Sequence, residues 1–246
     1  MRLFAIGDLH LPSARGKRMD RFGWKDHPRP LAEAWDQAVA PSDLVLVLGD
    51  TSWATRPSEV EEDLAWIHER QGRKVLLKGN HDFWWPDSRT KLGTLLAPFP
   101  SIVGFLHNGS ALREGPYVIA GVRGWTVPEA PQLPGGGYDP ELDMESYQPH
   151  VVERDLGRLR ASVQAAEVLA RDPDTIRVAC MHFPPVYAGP KPTRFSPIIE
   201  AYRPAVCAYG HLHGPGIPAG FVGEHNGVRY VLTSCDAARF APIRLL

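Results

Sequence analysis

Five short blocks in this 246-residue chain collect side chains able to bind divalent metal ions. They read Asp8-x-His10, Gly49-Asp50, Gly79-Asn80-His81-Asp82, His182 and Gly210-His211-x-His213. Two carboxylates (Asp8, Asp50), one amide oxygen (Asn80) and four imidazoles (His10, His182, His211, His213) make a mixed hard and borderline donor set. Such a set suits manganese, iron or zinc better than calcium, which prefers oxygen alone. Taken singly, each block is ordinary. Gly-Asp after a strand usually marks a turn, and a lone histidine at a strand end is usually a satisfied structural group. Asp8-x-His10 could cap the next element, and His211-x-His213 could alternate along a strand. All of them in this order, each after an apolar run, argue for a site. Half of the ten histidines fall in these blocks, whereas His27, His68, His107, His150 and His225 have no comparable context and read as surface or structural.

The elements that must position these residues are the apolar runs themselves. Residues 3–6, 44–48, 75–77, 176–181 and 205–209 are short aliphatic stretches of the kind buried on both faces of a sheet. Helical patterns lie between them. Residues 58–70 start with a capping box, Ser58-x-x-Glu61, and carry the stripe Val60, Leu64, Ile67. Residues 152–171 repeat the helical spacing with Leu156, Leu159, Val163, Ala166 and Leu169, and 87–97 is a weaker helix. Alternating strands and helices predict a largely parallel sheet in the first half. Runs 117–120 and 228–233 follow turn-rich segments and are expected to pair antiparallel in a second sheet. In open α/β sheets the carboxyl ends of strands form the ligand crevice, where all five blocks would lie. Segments 11–30 and 121–149 read as long loops, and loops of that length usually serve a site or are disordered.

Composition narrows the partners. A net charge of −1 offers no broad field for a nucleic-acid backbone or an anionic membrane. The three cysteines, Cys180, Cys207 and Cys235, form no Cys-x-x-Cys pair, which argues against a disulfide framework or a thiolate zinc cage. The first apolar run is too short for a signal-peptide core, and no stretch approaches a membrane span, so a cytoplasmic protein is expected.

The five blocks together resemble the calcineurin-like metallophosphoesterase superfamily, over residues 8–213. Within it, the strings Gly49-Asp50-Thr51-Ser52-Trp53-Ala54 and Lys78-Gly79-Asn80-His81-Asp82-Phe83-Trp84-Trp85 are similar to a group of bacterial predicted phosphohydrolases with no settled substrate. The resemblance implies an α/β (α+β) fold, a four-layer α-β-β-α sandwich of two mixed β-sheets flanked by helices. It implies one domain over 1–246, with loop insertions at about 11–30 and 121–149 near the site. It also implies two divalent ions, manganese foremost with iron or zinc as alternatives. Asp8, His10 and His213 would hold one ion and Asn80, His182 and His211 the other, with Asp50 bridging. His81 would face the substrate as general acid, since imidazole titrates near the working pH. The expected activity is hydrolysis of small phosphate monoesters or diesters by a metal-activated hydroxide attacking phosphorus in line.

Other side chains near the blocks carry weaker expectations. Arg56 and Arg123 are expected to bind substrate, and Arg15, Lys17 and Arg18 could meet phosphate oxygens, although a solvated basic loop is commoner. Asp82 reads either as an orienting partner for a histidine or as a cap. Trp53, Trp84 and Trp85 read as packing beneath the metals, or as a wall for an aromatic group. A nuclease of the SbcD type also has Gly-Asn-His-Asp, but the chain leaves little room for a DNA-capping domain. Protein Ser/Thr phosphatases follow Gly-Asp with Asp-Arg-Gly, which is absent here. The pyrophosphatase for UDP-diacylglucosamine carries Arg where this chain has His81. A metal-free scaffold would show eroded ligands, and all seven survive.

Overall fold

The aliphatic runs become strands, as their β-branched content and two-sided burial require. A computed structural model describes residues 1–12, 16, 19–131 and 147–246. Arg15, Lys17, Arg18 and the central part of the 121–149 loop, with Pro134 and its glycine triplet, lie outside the described residues. The chain forms two compact units, Met1–Phe105 with Thr233–Leu246, and Leu106–Leu232.

Unit 1 is built on β1 (Leu3–Ile6), β2 (Leu44–Leu48), β3 (Arg73–Leu77), β4 (Ile102–Leu106) and β13 (Ile243–Arg244). They form one sheet in the order β13-β1-β2-β3-β4. Strands β1, β2 and β3 run parallel, and their register places Ile6 beside Val47 and Val47 beside Leu76. That register makes the loops after β1, β2 and β3 leave from one edge. Helices α1 (Pro28–Ala38), α2 (Glu61–Glu69) and α3 (Arg89–Leu96) bury Leu31, Trp35, Leu64, Ile67, Leu92 and Leu96 in a core with Phe4, Ile6, Val45, Val47 and Leu76. The alternate residues Leu3, Ala5, Leu44, Leu46 and Val75 are buried as well, so both faces of the sheet are covered.

Two helix expectations are corrected. The capping box at Ser58 does not form. Glu59 instead accepts from the Thr55 amide and hydroxyl and the Arg56 amide, at 2.9, 3.0 and 3.2 Å. A short 3-10 turn, Pro57–Glu59, follows, and α2 opens at Glu61 with three acids in its first turn, where the helix dipole favours them. Helix α1 lies partly inside the expected 11–30 loop. Pro28 occupies its first turn, where the missing N–H costs nothing, and fully buried Trp35 anchors it by donating to the Gln71 carbonyl at 3.0 Å.

Unit 2 contains β5 (Ala111–Glu114), β6 (Tyr117–Val122), β7 (Ile176–Met181), β8 (Val186–Tyr187), β9 (Lys191–Pro192), β10 (Val206–Tyr209), β11 (Gly223–His225) and β12 (Val228–Leu232). Its main sheet runs β11-β12-β10-β7-β6-β5. Helices α4 (Pro149–Leu169) and α5 (Ser196–Tyr202) pack Ala166 and Tyr202 against Val118 and Ala120 of β6. The antiparallel expectation for β6 and β12 holds only toward the edge hairpins. Toward the centre β6 pairs parallel with β7, and β12 parallel with β10. Both sheets are therefore mixed and flanked by helices, as the resemblance implies. Among the described residues no helix is long and apolar enough to cross a membrane.

Candidate functional site

In unit 1 the loops after β1 and β2 run side by side and bond to each other. The Asp8 amide donates to the Gly49 carbonyl at 2.8 Å, His10 to Asp50 at 2.9 Å, and Leu11 to Thr51 at 3.0 Å. This ladder carries Asp8, His10 and Asp50 in left-handed backbone conformations, with φ of 60°, 44° and 49°. Each such non-glycine residue costs about 1–2 kcal/mol, and strain of this kind collects at functional sites. All three side chains are buried, and His10 Nε2 lies 3.8 Å from Asp50 Oδ2.

The loop after β3 closes on the same carboxylate. The His81 amide donates to Asp50 Oδ1 at 2.8 Å, and its ring Nε2 stands 4.0 Å from Oδ2. Gly79 explains why this turn needs glycine, because a Cβ there would sit 2.0 Å from Asp50 Oδ1 and 2.2 Å from its backbone nitrogen. Asn80, between them, is buried at the end of β3.

Asp82 proves to be a clamp for the loops. Oδ1 accepts from the Thr51 amide (2.9 Å), the Ser52 amide (3.4 Å) and Trp84 Nε1 (2.9 Å), while Oδ2 accepts from the Gly79 amide at 2.8 Å. One buried carboxylate thus ties the turns after β2 and β3 together. Burial, and then the charge of Asp50, raise its pKa. Ser52 in turn donates to buried Asp63 of α2.

The tryptophans divide by role. Trp84 and Trp85 are core residues, while Trp53 stacks on the His10 ring at 4.7 Å and 23° and lies 5.0 Å from His81. Trp24 carries no sequence expectation, and His27, expected to be surface or structural, is buried. Trp24 stands edge-on to His10 at 6.1 Å, and buried His27 places Nε2 2.8 Å from the Leu9 carbonyl. Burial lowers the His27 pKa more than that hydrogen bond raises it. No spacing singles out His27, which falls inside the segment 11–30 expected to be a long loop. Arg56 is exposed on the turn before α2.

In unit 2 the register again aligns strand ends, with Val122 beside Met181 and Cys180 beside Ala208. His182 therefore follows β7 next to Arg123, whose carbonyl accepts from the His182 and Phe183 amides at 3.1 and 2.9 Å. The Gly210 amide donates to the His182 carbonyl at 3.1 Å. His211 is the central residue of a three-residue turn, with φ of 75° and the Leu212 amide bonded to Gly210 at 2.9 Å. That γ-turn is a strained form. It brings the His211 and His182 rings to 5.3 Å and lays His211 3.9 Å from Phe183. His213 is half-buried at the cap of a short 3-10 helix, Gly214–Ala219. The Arg123 guanidinium lies 4.6 Å over Trp125 and 3.5 Å from buried Asp155.

The donor chemistry fits divalent cations. Unit 1 presents two carboxylates, an amide and an imidazole from adjacent loops, and unit 2 presents three imidazoles, all of types that bind borderline ions. Thiol chemistry is disfavoured. All three cysteines are buried; burial pushes Cys180 up to about 12, and Cys207 and Cys235 also upward, so their thiols stay protonated.

Comparison with known proteins agrees with this chemistry. Gene 66 proteins of Mycobacterium phages D29 and L5 are 39% identical over 75 residues and 42% over 65, covering 30% and 26% of this chain. The matched stretches span 37% and 31% of those proteins, about a third of their length. The fold is similar to that of phosphopantetheinyl hydrolase from Mycobacterium tuberculosis, with a TM-score of 0.56 at 20% identity, over 100% of this chain and 95% of that one. It is also similar to the protein TT1561 of Thermus thermophilus, with a TM-score of 0.53 at 14% identity, over 92% and 90%. The family model for calcineurin-like phosphoesterases matches residues 1–215. A chain with these motifs, this pair of sheets and that match belongs to the calcineurin-like phosphoesterase family.

Proposed function

We propose that the chain hydrolyses small phosphate esters, monoesters or diesters, at a centre for two divalent cations, manganese foremost. In this reading Asp8, His10 and His213 serve one cation, Asn80, His182 and His211 the other, and Asp50 both. The observation that carries it is the strained backbone at Asp8, His10 and Asp50, held by a ladder between two loops. A fold with no use for those carboxylates would relax it.

When bound, the cations would supply Lewis acidity and lower the pKa of a water enough that hydroxide is available to attack phosphorus at neutral pH. The protein's own groups do the rest. Asp50 fixes the position of His81 by accepting the 2.8 Å hydrogen bond from its amide, and the partly exposed His81 ring then holds a proton for the leaving oxygen. Trp53, packed on His10, limits that ring's rotation and keeps water from the buried side. Arg123, braced by Asp155 and Trp125, is the proposed contact for a substrate phosphate oxygen, and exposed Arg56 a second.

The test is turnover of p-nitrophenyl phosphate and bis-p-nitrophenyl phosphate with Mn, Fe, Zn, Ni or Mg added in turn. Asp50→Asn should abolish activity on both, and retained turnover would sink the two-cation reading. His81→Ala should slow esters with leaving groups of high pKa most, by about 10²–10⁴-fold. An equal loss for all leaving groups would refute the general-acid role.

A further inference from the structure

His27 stands immediately before α1, and its Nε2 lies 2.8 Å from the Leu9 carbonyl oxygen. A carbonyl can only accept, so the ring nitrogen is the donor. The other end of the same peptide, the His10 amide, donates to the Asp50 carbonyl at 2.9 Å. One planar peptide unit is therefore pinned at both ends, and its plane directs the chain into His10. Leu9 lies between Asp8 and His10, both left-handed, in a path that few side chains adopt unaided. The His27 ring is held in turn by Trp24 at 5.4 Å and by Phe240 at 6.3 Å. Trp24 also meets the His10 ring edge-on, so one aromatic group braces both the peptide and the imidazole.

We infer that His27 is a positioning residue: its ring N–H holds the Leu9–His10 peptide in the path that presents Asp8 and His10 to a divalent cation. The inference rests on the two-cation reading above. It differs from simple packing of a buried ring, because it assigns the effect to the donor atom. His27→Phe keeps a ring of similar size and loses the donor, whereas His27→Gln keeps an N–H donor on a side chain of similar reach.

The experiment titrates the metal-free full chain and both variants with manganese chloride by calorimetry. In parallel, hydrogen exchange at the His10 amide is followed without metal. In His27→Phe one manganese equivalent should bind about 10–100-fold more weakly, the range for loss of a partner behind a ligand, with the other within about threefold. The His10 amide should exchange at least about tenfold faster, with a cooperative unfolding transition retained. His27→Gln should recover both readouts to within about threefold of the wild type. Wild-type affinity and exchange in His27→Phe would overturn the inference. So would equal weakening of both equivalents that His27→Gln fails to reverse. A wild-type chain that binds no manganese refutes the two-cation reading instead, and unchanged His10 exchange in His27→Phe would then refute the pinning as well.

Discussion

Gly79→Ala is the sharpest probe of how the loops are assembled. The new Cβ would meet Asp50 at 2.0 Å from Oδ1, 2.2 Å from the backbone nitrogen and 2.8 Å from Cγ. Ordinary contact begins near 3.4 Å, so Asp50 would have to retreat by roughly 1.4 Å. A side-chain rotation alone does not relieve this, because the backbone nitrogen is struck as well. The retreat also breaks the 2.8 Å bond from the His81 amide to Oδ1. Overpacking of about 1–3 kcal/mol, with loss of a charge-assisted hydrogen bond worth about 1.5–3, gives about 2.5–6 kcal/mol of destabilisation. Displacement of a reacting group by more than 1 Å should lower turnover by at least about 10²-fold. Urea unfolding and hydrolysis of bis-p-nitrophenyl phosphate measure the two effects. Gly93→Ala is the control. It lies in α3 with open space around the added carbon, and should stabilise by about 0.5–1 kcal/mol. If Gly79→Ala unfolded within about 0.5 kcal/mol of the wild type and kept its turnover, the close approach to Asp50 would be wrong.

Two further outcomes follow from particular contacts. Asp82→Asn places an amide N–H₂ or a lost acceptor against the Gly79 or Thr51 amide, and should cost about 1–3 kcal/mol in urea unfolding. An unchanged midpoint would refute the clamp. Far from the loops, burial alone would raise the pKa of Asp43, but Arg2 and the Ala40 amide bring it down to about 2 from 3.8. A depressed carboxylate contributes its stability above 3.8 and loses it as pH falls toward 2. Since the Arg2 side chain is 40% exposed, about 1–2 kcal/mol at neutral pH is expected. Asp43→Asn should lose that amount at pH 7 and progressively less between pH 4 and pH 2 (about the two pKa values). Equal losses at pH 7 and at the acid end, followed by chemical denaturation, would contradict the assignment.

What local order determines was legible in the residues alone. The bounds of β1, β2 and β7 follow from aliphatic runs ended by Gly-Asp or His, because two-sided burial demands an unbroken apolar stretch. The donor types were legible for the same reason, since metal chemistry depends on atoms that the sequence names. Three things needed tertiary structure. The direction of β6 and β12 depends on which strands the chain returns to, which their composition does not encode. The start of α2 moved because Glu59 found the Thr55 and Arg56 amides before Ser58 could cap anything. Roles of side chains behind the candidate ligands were hidden as well, because His27 and Asp82 act on groups far away in sequence or through backbone amides. Residue order alone thus named a candidate set of metal-binding donors at strand ends. Only the folded chain decided that Gly79 must be bare, that Asp82 is a clamp and that Asp8, His10 and Asp50 are held under strain, since each depends on distances between loops far apart in sequence.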